Sequence, residues 1–174
     1  NIATEQAAVC AALEEELATL EEAVEPTWAG LVGPIERLSD RLGFSWGIVG
    51  HLMGVRNSDA LREAHQSVQG EVVEFSLRLA QSAAIYRGLQ DIRSGAAWGT
   101  LDATQRRIVE TLLRDAEHAG VGLDEKKRKR FNAIALELAE AATRFSNNVL
   151  DATKAFSMTI EDADAIAGTP NNFR

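Results

Sequence analysis

A chain of 174 residues with 18 basic and 26 acidic residues, net charge −8, has room for one domain with a sizeable core and the wrong sign for general nucleic-acid binding. The single cysteine, Cys10, excludes an internal disulfide and reads as a small apolar residue on a helix. The longest apolar candidate for a membrane span, residues 42–55, falls short of the ~20 residues required and is broken by four glycines and His51. That leaves a protein that is soluble, with peripheral membrane attachment open.

The first predicted helix covers residues 4–24, with Val9, Leu13, Leu17, Leu20 and Val24 on one face, and Pro26 ends it. A second stripe follows through Trp28, Leu31, Val32, Ile35, Leu38, Leu42, Trp46, Val49, Leu52 and Met53. It is expected to bend near Gly33-Pro34, because proline lacks a donor and clashes with the preceding turn. Asn57-Ser58-Asp59 supplies turn and cap chemistry before a third helix, whose Leu61, His65, Val68, Val72, Phe75 and Leu79 keep spacings of three and four. A shorter fourth helix over residues 82–93 carries Ile85, Leu89 and Ile92 and stops at Ser94-Gly95. Asp102 and Gln105 have capping-box spacing ahead of Ile108, Val109, Leu112 and Ala116 of the fifth.

Gly120-Val121-Gly122 breaks that helix and Asp124 caps the sixth, which extends to residue 156, about 50 Å at ~1.5 Å per residue. Along it Ile134, Leu138, Phe145, Val149, Ala152 and Phe156 line one face and are expected to form a core stripe against which other helices pack. No segment alternates apolar and polar residues long enough for a strand. The predicted fold is an all-α antiparallel bundle of about six helices with one long C-terminal helix, in one domain over residues 1–170, followed by a loose tail at 171–174.

Candidate functional positions are few. Lys126, Lys127, Arg128, Lys129 and Arg130 form a basic run at a helix N-terminus, where the helix dipole disfavours cations. It reads as a dock for an acidic partner or anionic surface, or as a solvated first turn balanced by Asp124 and Glu125; five consecutive positions wrap around a helix and favour the second reading. Gly43, Gly47, Gly50 and Gly54 share one flank of the second helix beside Met53. They suit either internal close packing, the favoured reading, or a contact face. Trp98, between glycines, is the tryptophan expected in an exposed loop and the best contact aromatic, whereas Trp28 and Trp46 fall on core stripes. His51, His65 and His118 lack metal-ligand spacing, and no nucleophile elbow or phosphate-cradling loop occurs, so no catalytic, metal or cofactor residue is expected.

Several ordered patches are more specific: Glu25-Pro26-Thr27-Trp28, Trp46-Gly47 with His51-Leu52, Leu77-Arg78-Leu79 before Tyr86, and Phe145-Ser146 leading into Asn148-Val149-Leu150-Asp151-Ala152-Thr153. Together, across residues 13–170, they resemble the N-terminal helical region of the thimet-like zinc oligopeptidases, in the branch of oligopeptidase A and the plant organellar enzymes. The resemblance implies a helical lid walling a channel to a zinc centre that lies elsewhere in such proteins, on a His-Glu-x-x-His helix that this chain does not contain. The expectation is therefore a non-catalytic interaction or scaffold protein, an accessory subunit whose partners are other subunits of a larger complex. Short peptides are a further partner class. The alternative is the N-terminal part of a zinc oligopeptidase that shapes the channel. The absence of an initiator Met, together with the organellar resemblance, favours a plastid or mitochondrial address over the cytosol.

Overall fold

The computed structural model describes residues 1–170, and the tail expected at 171–174 lies outside them. The described residues contain helices and turns but no strand, as the periodicities require. Seven α-helices follow in order: α1 (Ile2–Glu22), α2 (Gly33–Val55), α3 (Asp59–Ala80), α4 (Ala83–Ser94), the single turn α5 (Ala97–Thr100), α6 (Ala103–His118) and α7 (Glu125–Ala155). A π-helical turn, Trp28–Val32, precedes α2, and a 3-10 turn, Ala163–Ile166, follows α7.

Local chemistry sets most boundaries. The Thr27 hydroxyl accepts from the Gly30 N–H at 3.0 Å to open the π-helical turn. Pro34 lies in the first turn of α2, where a missing N–H is tolerated, and Val32 and Gly33 are both right-handed helical, so the π-helical turn runs directly into α2. Ser58 and Ser82 cap α3 and α4 through their hydroxyls. At α6 the full capping box forms, with the Gln105 N–H donating to Asp102 Oδ1 at 2.8 Å and the Asp102 N–H donating to Gln105 Oε1 at 3.0 Å. Gly120, at φ +90°, closes α6: the Val121 N–H reaches back to the Ala116 carbonyl at 3.0 Å, a geometry that favours glycine.

The core lies among α1, α2, α3, α4 and α6. Leu13 and Leu17 from α1, Leu31 and Val32 from the π-helical turn, Phe75 from α3, Leu89 and Ile92 from α4 and Val109 from α6 are fully buried. Gly88 makes room between α4 and its neighbours, since a Cβ there would stand 2.5 Å from Val24 Cγ1 and 2.7 Å from Leu31 Cδ2. The chain divides into two compact units, residues 1–140 and 141–174. The first holds α1–α6 and the start of α7, and the second the remainder of α7 and the 3-10 turn.

Candidate interaction surfaces and an apolar cavity

The α7 stripe is helical and one-sided as its spacing predicts, but it is not core. No α7 side chain is buried. Leu138 is 68% exposed, Phe145 70% and Phe156 73%, with Ile134 and Val149 also open. Beyond the helix, Met158 and Ile160 add to the uncovered apolar surface. An i, i+4, i+7 pattern records that a helix has an apolar face; it does not record which molecule covers it. Exposed large apolar residues thus occur in each unit, Ile134 and Leu138 in the first and Phe145, Val149 and Phe156 in the second, and such residues mark candidate interaction surfaces.

A second uncovered face escaped the sequence reading. Phe44, Ile48 and Val55 on α2 are exposed on the side away from buried Leu38, Leu42 and Val49. The signal was present as apolar residues four and seven apart that fall off the core stripe. The favoured reading of Gly43, Gly47, Gly50 and Gly54 is corrected here. A Cβ added at any of the four would meet nothing within 4 Å, so they pack against no element of the chain and lie on open surface beside half-buried Met53.

The basic run is largely neutralised by its own helix. Lys127 pairs with Asp124 at 3.3 Å, Lys129 with Glu125 at 2.8 Å and Arg130 with Glu137 at 3.4 Å. Lys126 is exposed, and half-buried Arg128 borders a shallow groove with Glu74, Gln81 and Asn132. Trp98 is not an exposed loop aromatic. It sits on the α5 turn, half-buried against the core, with the Arg106 guanidinium over its ring at 5.7 Å.

Where α2, α3, α4 and α6 meet, they leave a half-open cavity of about 430 Å³. Buried Ile35, Leu42, Val72, Phe75 and Leu89 form its floor, and Trp46, Leu79, Tyr86 and Leu112 its walls. Trp46 stacks on His65 at 4.5 Å between ring centroids. His65 is 7% exposed and its Nδ1 has no hydrogen-bond partner, so burial holds the imidazole below its ordinary pKa. Nearby, Glu21 accepts from Arg78 at 2.9 and 2.7 Å and from the Ser82 hydroxyl at 2.6 Å, tying α1 to α3 and to the start of α4. The Arg78 bonds hold the Glu21 carboxyl below its usual range.

A zinc centre fits none of these places. Among the described residues no group of three His, Cys, Asp or Glu could hold a metal ion, and no helix is long and apolar enough to cross a membrane.

Comparison with known proteins agrees with the resemblance drawn from the sequence patches. The family described as "Neurolysin/Thimet oligopeptidase, N-terminal domain" matches residues 6–128. Over 158 residues the chain is 45% identical to the chloroplastic/mitochondrial organellar oligopeptidase A of Arabidopsis thaliana, covering 91% of this chain and 20% of that protein. It is 44% identical to the probable cytosolic oligopeptidase A of the same plant, covering 91% of this chain and 22% of the relative. Oligopeptidase A of Escherichia coli is 36% identical over 146 residues, or 84% of this chain and 22% of the relative. The chain thus spans about a fifth of the length of these relatives. With an organellar and a cytosolic protein equally similar, the expected preference for an organelle has no support. The chain belongs to the neurolysin/thimet oligopeptidase N-terminal domain family.

Proposed function

We propose that this chain works as the helical domain of a peptidase of the oligopeptidase A kind, joined to the remainder of that polypeptide through the apolar face of α7 and helping to restrict which peptides enter. The supporting observation is the α7 face itself. Its residues lie mostly beyond the family match at 6–128, yet a stretch of 158 residues shared with an oligopeptidase A extends into them. Those relatives are about five times longer, and this chain leaves Leu138, Phe145 and Phe156 in solvent. An apolar stripe with no cover inside its own domain is best stabilised by further chain of the same protein. Exposed residues of α2, Phe44 and Ile48 with Met53 and the four glycines, are a second proposed contact, and the basic run and Trp98 are weaker ones.

Native extract fractionated by size, with mass spectrometry on each fraction, tests this. The expected result is peptides of this chain in a species several times heavier than 18.9 kDa, together with peptides from a His-Glu-x-x-His helix. A species of about 19 kDa co-migrating with unrelated subunits would overturn the proposal in favour of an accessory protein.

A further inference from the structure

We propose that the cavity between α2, α3, α4 and α6 is a binding site for a small, neutral, apolar molecule, a property that the domain's place in a peptidase does not require. Its volume of about 430 Å³ lies within the ~300–1,000 Å³ typical of ligand pockets. The floor is already buried side chains, and the Trp46 wall is fixed by its stack on His65, so the site is formed before a ligand arrives.

The polar groups at its edge select the ligand class. The Ser76 hydroxyl donates to the Val72 carbonyl at 2.8 Å, the Ser82 hydroxyl to Glu21 at 2.6 Å and the Tyr86 hydroxyl to Glu117 at 2.7 Å. With those donors committed, the lining retains only the Ser39 hydroxyl and the Trp46 indole N–H, too few to replace the water lost by an extended peptide backbone, which argues against such an occupant. The lining holds no cation, and its one carboxylate, Asp115, is paired with Arg114 at 3.6 Å outside the lining, so an anionic head group would find no partner there, which sets a neutral molecule apart from a fatty acid. What remains is removal of apolar surface from water, for which the lining is suited.

Titration of the purified chain with N-phenyl-1-naphthylamine, a neutral apolar fluorophore, tests the site. The expected result is saturable one-site binding with quenching of tryptophan emission, and at least tenfold weaker competition by dodecanoate than by dodecanol. Gly43→Leu places a side chain at the cavity mouth, at a helical position where a Cβ meets no neighbour, and should weaken binding at least tenfold. Ser76→Phe blocks the same cavity from α3 and serves if Gly43→Leu fails to fold. Gly54→Leu, on the same glycine flank but outside the lining, and Phe145→Ser on α7 should leave binding unchanged. Unsaturable binding, equal binding by all variants, equal competition by the two dodecyl compounds, or loss in Phe145→Ser in place of Gly43→Leu each overturns the assignment.

Discussion

His65 occupies a stripe position among leucine, valine and phenylalanine and is buried with Nδ1 unpaired, so only the neutral ring suits the folded chain. Its folded pKa lies below the ordinary 6.5 because burial penalises the charged form. The unfolded chain therefore binds the proton more readily, and the neutral ring's contribution, complete above pH 6.5, is lost as pH falls from there through the folded pKa. Urea denaturation at pH 8 and pH 5 should show lower stability at the acid end, and His65→Phe, which keeps a ring against Trp46, should reduce that difference. Arg78 poses the opposite case, a half-exposed cation bonded twice to Glu21 and lying 3.4 Å from Glu14. Arg78→Met should cost about 1 kcal/mol, since solvent screens the pair but its bidentate geometry retains part of the gain. The depressed Glu21 carboxyl adds stability that is present above its ordinary 4.5 and lost as pH falls below it. Spacing placed His65 in the core, but the missing Nδ1 partner was not legible, because partners for a buried ring come from residues remote in the chain.

Helix boundaries are where local sequence chemistry spoke most clearly. Asp102 and Gln105 were readable as a capping box, and both reciprocal bonds form. Asp102→Ala should lower stability by ~1 kcal/mol in thermal denaturation. Gly120→Ala should cost more, about 1–2 kcal/mol, because the alanine must adopt φ near +90° with its Cβ 2.6 Å from Leu123 Cδ1. An unchanged melting temperature in Gly120→Ala would contradict the closing geometry of α6. Elsewhere the reading of elements failed for identifiable reasons. At Gly33-Pro34 the stripe crosses a change of helix type, from the π-helical turn Trp28–Val32 into α2, which the spacing of apolar residues does not show. The α7 pattern was read as core because a stripe facing a partner and a stripe facing the chain's own interior have the same period. The α2 glycines suggested packing, and only the surrounding helices could show that nothing approaches them.

At the scale of the molecule, the core among α1–α4 and α6 does not use the α7 face, so the two should respond to mutation independently. Replacing Leu138, Phe145 and Phe156 by serine should leave the chain's unfolding free energy largely intact, changed by no more than about 0.5 kcal/mol per site. The same triple change, placed in a full-length protein of the proposed kind, should lower both its melting temperature and its peptidase activity, measured side by side. Loss of the isolated chain's stability instead would mean that α7 contributes to the core. Fold class and family were legible because each rests on patterns held within the chain. The exposure of α7 was not, because the period of a stripe does not record whether anything in the chain covers it. That uncovered helix also bears on synthesis. If, as proposed, the chain opens a polypeptide as long as its relatives, α7 leaves the ribosome with about four fifths of that polypeptide still to be made. At roughly 5–20 residues per second that is a delay on the order of a minute. Throughout it, Phe145 and Phe156 are open to other nascent chains, so anything that slows elongation downstream of α7 should raise the yield of aggregated protein and the demand for chaperones without changing a residue of the finished fold.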